Sequence, residues 1–281
     1  MIQKSYNSTP SLYIVPTPIG NLEDITLRAI NTLKEVDVIF AEDTRTTSIL
    51  LKHFKIKQKL LSSHLYNEDK MTNKEIEYLK KGKNIAVVSD AGTPVISDPG
   101  YILINKAIKE GYNVICLPGP TAIIPAIVTS GLAGGPFTFY GFLNSKESKR
   151  KQELENIKSN KYPIVFYEAP HRLIKTLQNI KEILGNRKIS IAREISKKYE
   201  EIIRDNVENI IKNVENIKGE IVLVVDGNHE EKKFDNLTII EHINIYLEEG
   251  ILPKEAIKIV AKERNIPKSE IYNEYNKNKK S

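Results

Sequence analysis

Three loops dense in glycine and proline each follow a short apolar run. They read Pro16-Thr17-Pro18-Ile19-Gly20-Asn21, then Ser89-Asp90-Ala91-Gly92-Thr93-Pro94 continuing through Val95-Ile96-Ser97-Asp98-Pro99-Gly100, then Pro118-Gly119-Pro120-Thr121-Ala122. Glycine lets backbone N–H and C=O groups close on a ligand, and proline fixes the direction of approach. Ligands of open α/β sheets bind outside the carboxyl ends of the strands, so three such loops in register mark a binding cleft more strongly than three tight turns. Titratable residues gather in Glu42-Asp43-Thr44-Arg45 and in Tyr167-Glu168-Ala169-Pro170-His171-Arg172. A carboxylate or imidazole within hydrogen-bond reach of a substrate proton is a general base, and the candidates are Glu42, Asp43, Glu168 and His171. Glu168 and His171 rank first because they share a strand-to-helix junction with Arg172. The plainer alternative is that Asp43 and His171 cap or staple their helices. Arg45, Arg172 and Arg193 suit phosphate or ribose contacts, since a guanidinium grips phosphate through two parallel hydrogen bonds.

Several other chemistries lack their signatures. The chain has no G-x-G-x-x-G, no G-x-x-x-x-G-K-[ST], no H-E-x-x-H and no G-x-S-x-G, so dinucleotide redox, P-loop, zinc-hydrolase and esterase readings lose their usual support. His53, His64, His229 and His242 are scattered, and no Cys or His spacing suits a metal. The single cysteine, Cys116, lies in the apolar run 114–117, which predicts a buried core thiol without a disulfide.

The elements that must carry these loops follow from hydrophobic patterning. Residues 12–15, 36–41, 85–89 and 113–117 read as strands alternating with helical patterns, which argues for a mostly parallel sheet with helices packed on it. Leu27, Ile30 and Leu33 recur at helical spacing. Thr72 with Glu75 has the form of a capping box, and Gly82 and Gly111 stand where helices should stop. The second half repeats the alternation with strands at 137–142, 164–167, 189–192 and 221–225. Its clearest helix covers 172–184, ended by Gly185, and a surface helix is expected within 146–161. The expected organisation is an N-terminal α/β domain over 12–119, a second α/β domain over 120–228 and a helical, helix-turn-helix-like tail over 235–281. In that tail Thr238 caps a helix with Glu241, Pro253 opens another and Ser269 a third.

At 281 residues there is ample chain for two domains and an appendage. The longest apolar runs fall far short of the roughly 20 residues that cross a bilayer, and the polar N-terminus lacks a secretory pattern. A cytoplasmic protein is expected. A formal charge of +6 suits a nucleic-acid partner, although lysine is abundant along the whole chain. Two segments concentrate the charge: Lys52, Lys55, Lys57 and Lys59 with no acid among them, and 146–161 with six basic residues against Glu147, Glu153 and Glu155. The tail balances, with ten acids and ten bases from 229 to 281.

At these loops the sequence resembles the tetrapyrrole methylase superfamily, and within it the ribosomal RNA small subunit methyltransferase I group. The resemblance rests on Thr17-Pro18-Ile19-Gly20-Asn21-Leu22, Glu42-Asp43-Thr44-Arg45, Ser89 to Pro94 with Ser97-Asp98-Pro99-Gly100, Pro118-Gly119-Pro120, Tyr167 to Arg172 and Ala192-Arg193-Glu194. It implies two α/β domains with S-adenosyl-L-methionine folded in the cleft between them, usually in a homodimer. It also implies methylation of the 2'-hydroxyl of a cytidine in the decoding region of small-subunit ribosomal RNA, free or in the assembled subunit. Motif matching assigns the methionine end of the cofactor to Thr17, Pro18, Gly20, Gly92, Thr93, Ile96, Thr121 and Ala122, with Asp90 shaping the loop. Tyr167 and Ala192 would face the adenine. Glu168, His171, Asp43 and Arg45 stand as the catalytic candidates. Two acidic positions of the wider superfamily, in its Gly-Pro-Gly-Asp and Gly-Asp-Pro motifs, are Asn21 and Thr93 here. A small-molecule ring methylase and a non-catalytic RNA-binding protein are the alternatives, the first requiring a deep apolar pocket and the second no consumption of a methyl donor.

Overall fold

Val38-Ile-Phe-Ala and Ile85-Ala-Val-Val are buried at every position, as strands covered by helices on both faces must be. In the computed structural model they are β2 (Val38–Ala41) and β4 (Ile85–Val88), which join β1 (Ser11–Ile14), β3 (Lys59–Ser62) and β5 (Asn113–Cys116) in an all-parallel sheet ordered β3-β2-β4-β1-β5. The structure describes every residue except 1, 6, 64–67, 215–216, 230–236, 265 and 279–281. His64 therefore lies outside the described residues. Helices α1 (Leu27–Glu35), α2 (Thr44–His53), α3 (Glu68–Lys80) and α4 (Tyr101–Lys109) complete this half. One core gathers Leu33, Ile39, Ala86 and Leu117, the other Leu12, Phe40, Ile76, Ile85 and Leu103.

The second sheet is ordered β6-β7-β10-β8-β9, from β6 (Thr138–Phe142), β7 (Ile164–Glu168), β8 (Lys188–Arg193), β9 (Glu201–Asn206) and β10 (Ile221–Val225). Only β6 and β7 run parallel. The other pairs are antiparallel, because β8 and β9 form a hairpin and β10 returns between β7 and β8. The repeated alternation expected from the sequence thus yields a mixed sheet here. Helices α6 (Glu147–Ile157), α7 (Leu173–Leu184) and α8 (Val207–Asn213) belong to the core of Leu154, Phe166, Leu177 and Ile210, while α5 (Ile123–Ser130) packs Ala126 and Ile127 against Val222 and Val224.

Residues 229–281 form a separate compact unit. Its helices are α9 (Ile239–Glu248), α10 (Pro253–Arg264) and α11 (Lys268–Asn278), around Ile243, Ile257, Val260 and Ile271. Thr238 and Glu241 make the reciprocal capping box that their spacing predicts. Helix α11 starts one residue before Ser269.

Four expectations are corrected. Thr72 does not begin a helix: α3 starts at Glu68, Thr72 is buried one turn inside it, and Glu75 accepts from the Ser63 hydroxyl at 2.9 Å. Cys116 is exposed, because β5 is an edge strand and alternation turns Ile115 and Leu117 inward instead. Arg150, one of the six basic residues of the 146–161 segment, is buried, donating to Asn179 Oδ1 at 2.7 Å and to the carbonyls of Asn144 and Ser145. Strands β3 and β9, with sequences KLLS and EIIRDN, were not among the expected strands, since edge strands carry charge and show little apolar alternation. Among the described residues no helix is long and apolar enough to cross a membrane.

Candidate functional site

The loops after β1 and β4 leave the sheet side by side, since those strands are neighbours. Thr17 and Gly92 join them through two backbone hydrogen bonds of 2.9 Å, and the Thr17 hydroxyl donates to the Ser89 carbonyl at 3.1 Å. The Thr93 hydroxyl ties the second loop to the third by donating to the Pro120 carbonyl at 3.2 Å. Gly92 has φ +80, and a Cβ there would meet Ile19 Cγ2 at 3.4 Å and the Pro120 carbonyl oxygen at 3.9 Å. The positive φ is what favours glycine at Gly92, since a Cβ would meet these neighbours only at ordinary van der Waals distance.

These loops wall a cleft of about 740 Å³ within residues 1–228. Asp90, Gly92, Thr93, Ile96, Thr121 and Ala122 line one side, Tyr167, Ala192 and Val222 the other. Thr17 and Pro18 do not reach the cavity, Thr17 being buried behind it as the tie to Gly92. Gly20 is also off the cavity wall. It faces Lys197, whose side chain occupies the place where a Cβ would stand, in an outer groove shared with His53 and Lys198. Tyr167 packs edge-on against Phe139, ring centroids 5.1 Å apart, and tilted against Phe142 at 5.4 Å. Burial and the charge of Asp98 push its phenol above the ordinary value.

Backbone strain concentrates around this cleft. Val95 and Ser97 have φ of +77 and +68, Glu194 and Ser196 +51 and +68. A β-branched residue such as Val95 in that region is costly and persists only where its surroundings over-determine it, a pattern typical of ligand sites. Glu194 Oε1 holds the opposite wall by accepting from Glu220 N–H at 2.9 Å and from Lys197 Nζ at 2.8 Å, while Lys197 reaches Glu220 at 2.9 Å.

The four catalytic candidates are not brought together. Glu168 lies on the cleft wall with its side chain 1% exposed. Its Oε1 accepts from Ala169 N–H at 2.8 Å and sits 3.2 Å from Arg172 Nε, and its Oε2 accepts from the Thr176 hydroxyl. Arg172 is anchored on the Leu143 carbonyl at 2.6 Å. His171 is exposed and off the cavity wall. Asp43 caps α2, accepting from Arg45 N–H at 2.8 Å, and binds the Arg45 guanidinium at 2.6 Å. The Arg45 side-chain and backbone hydrogen bonds hold its carboxyl down at about 2.

The carboxylates that do share the cavity wall include Glu42, Asp90 and Asp98. Asp98 belongs to the Ser97-Asp98-Pro99-Gly100 motif, which by itself assigns it no role. Its signal was present as a second acid eight positions after Asp90 in the same glycine-rich loop. Burial, then the charge of Glu42, with Asp90 adding and Ser89 opposing, leaves the Asp98 carboxyl pushed up to about 6.

Residues 11–211 match the family model of the Tetrapyrrole (Corrin/Porphyrin) Methylases. The chain belongs to the tetrapyrrole methylase family. Within the family, this methylase is 48% identical to the ribosomal RNA small subunit methyltransferase I of Bacillus subtilis (strain 168), over 97% of both chains. It is 41% identical to the protein of that name from Haemophilus influenzae, over 94% of this chain and 95% of the other. Among solved structures it shares its fold with the uroporphyrin-III-C-methyltransferase of Thermus thermophilus, at 18% identity and TM-score 0.56, over 77% of this chain and 94% of that one. A cobalt precorrin-4 methyltransferase matches at 16% identity and TM-score 0.59, over 80% and 98%. Methylases of this family use S-adenosyl-L-methionine. The cleft fits that group: its volume lies within the roughly 300–1,000 Å³ of small-molecule sites, Gly92 leaves open a place that a side chain would fill, and the wall combines a half-buried aromatic ring with carboxylates that suit a cation.

Proposed function

We propose that this methylase transfers a methyl group from S-adenosyl-L-methionine to small-subunit ribosomal RNA, at the 2'-hydroxyl of a cytidine ribose in the decoding region. One observation carries the reading: the near full-length identity to proteins named for methylating ribosomal RNA of the small subunit. The specific position comes from the motif resemblance set out above. When bound, S-adenosyl-L-methionine supplies an activated methyl on a positively charged sulfur. The loops of Gly92, Thr93 and Thr121 would hold and orient it through backbone groups, with Tyr167 and Ala192 against its base. Tyr167, Phe142 and Ile96 would narrow the cleft and exclude water. Much of the rate of such an in-line transfer comes from holding the two reactants in alignment.

In this reading Arg45, 90% exposed at the start of α2, and the exposed lysines Lys52, Lys55 and Lys57 meet the phosphates of the RNA. Lys59 also donates to the Tyr78 hydroxyl at 2.9 Å. The division into domains at 12–119, 120–228 and 235–281, a homodimeric assembly and a cytoplasmic location belong to the same proposal. Incubating the protein with methyl-labelled S-adenosyl-L-methionine and either purified small subunits or bare ribosomal RNA, then mapping the label, tests it. Label on a single ribose of the decoding region is expected. Label on a base, or only on added tetrapyrroles, would overturn it.

A further inference from the structure

Among the described residues, Glu42 and Asp98 each line three adjoining spaces at once. One is the main cleft. Another is a small internal cavity behind it, shared with Thr72 and Glu75, and the third is an outward groove walled by Pro99, Tyr101 and Ile102. They stand where the cofactor cleft opens to the surface, the place that the reacting atom of a large substrate must reach. Glu168 is enclosed by its own donors and Asp43 by Arg45, so neither is arranged to accept a proton.

We propose that Asp98, set at the mouth of the cleft beside Glu42 and Asp90, is the general base that takes the proton of the substrate hydroxyl. The inference rests on the methyl-transfer reading above. The hydroxyl oxygen forms the new bond to the methyl carbon, the electron pair of the broken carbon–sulfur bond stays with sulfur, and the hydroxyl proton passes to a carboxylate oxygen of Asp98. One negative and one positive charge disappear together, so the step is balanced.

The groups around Asp98 make this timing self-consistent. Glu42 follows β2 and Asp90 follows β4, so like charge meets it from two elements, with Ser89 opposing by a hydrogen bond, while Glu75 of α3 and Tyr167 of β7 line the spaces it shares. A carboxyl among like charges holds its proton longer, and a cation placed beside it favours the ionised form. With a sulfonium bound in the cleft, Asp98 would therefore be ionised before reaction. Loss of that positive charge on transfer raises the proton affinity of Asp98 as the proton arrives.

The test is calorimetry on the full chain, from pH 5 to 8, in two buffers of different ionisation enthalpy, with S-adenosyl-L-methionine and with its neutral thioether product, S-adenosyl-L-homocysteine. The parent is expected to release a proton on binding the sulfonium but not the thioether. Its affinity for the sulfonium alone should fall by up to about tenfold per pH unit below about 6. Asp98→Asn should bind both ligands with pH-independent affinity, and should transfer label to small subunits at least about 100-fold more slowly. Glu42→Gln should move the titration to lower pH, which identifies Asp98 as the group that titrates, and an unmoved titration would overturn that. Equal pH dependence for the two ligands, or an Asp98→Asn variant with the parent's turnover, would overturn the assignment while leaving the methylase reading intact. Failure of the folded parent to bind S-adenosyl-L-methionine at any pH would overturn both.

Discussion

Glu168 has the residue type and the strand-end position of a general base, and only its surroundings show another use. A carboxylate accepting from Ala169 N–H and the Thr176 hydroxyl, with Arg172 at 3.2 Å, pins the start of α7 to the end of β7. Removing it leaves those buried donors unmet, at a cost of about 1.5–3 kcal/mol for hydrogen bonds to a charged group. Glu168→Ala is accordingly expected to lower the unfolding free energy measured by denaturant titration by that amount, and the folded variant to keep its affinity for S-adenosyl-L-methionine. A variant of undiminished stability that binds but does not turn over would return Glu168 to the chemistry. The sequence showed which residue types gather at the strand ends, but not which of them fold against their own backbone. Asp43 was open to both readings, cap or base, and its bonds to Arg45 favour the cap.

At the scale of elements, the buried strands β1, β2 and β4 and the helices α1 and α7 were legible because burial imposes a period on their sequences. The capping pair Thr238 and Glu241 was legible for a local reason. Strands β3 and β9 were not, because they occupy sheet edges where charge serves as well as an apolar side chain. The end of α2 was also hidden. Ile56 N–H donates to the Leu51 carbonyl at 2.8 Å and Lys55 N–H to the Lys52 carbonyl at 3.2 Å, the pattern that closes a helix through a left-handed residue. Lys55 fills that position with φ +55, where glycine is usual. A left-handed conformation costs an L-residue about 1–2 kcal/mol, and glycine returns part of that gain as chain entropy. Lys55→Gly should therefore stabilise the protein by about 0.5–1 kcal/mol in thermal or denaturant unfolding. Equal or lower stability would mean that Lys55 makes a compensating contact. Because the same change removes one of the exposed lysines, any loss of RNA affinity that accompanies the gain in stability belongs to its charge.

Taken as a whole, the chain separates its chemistry from its appendage: the cleft lies within residues 1–228, and 229–281 has a core of its own. The sequence placed the helices of that tail well, but His242 looked like one scattered histidine among several. In the structure it is fully buried, with Arg264 Nε donating to its Nδ1 at 3.1 Å and its Nε2 3.0 Å from Glu263, whose carboxylate also accepts from the Tyr246 hydroxyl. An Nδ1 that accepts from a guanidinium has no place for a second proton, so the neutral ring is the one that fits. Burial and the Arg264 charge lower its affinity for a proton below the ordinary value, against the opposing pull of Glu263. In the unfolded chain His242 takes up its proton near pH 6.5, whereas the folded tail resists until lower pH, so this contribution is complete above about 6.5 and declines as the pH falls toward the folded value. Hydrogen exchange in α9–α11, corrected for the intrinsic effect of pH, should show protection declining over the interval in which the pH falls below about 6.5. His242→Gln removes the titration and should make that protection independent of pH over the same interval. Parent protection that stays constant across the interval would mean that Glu263 outweighs Arg264 and that the ring is carried protonated into the folded tail.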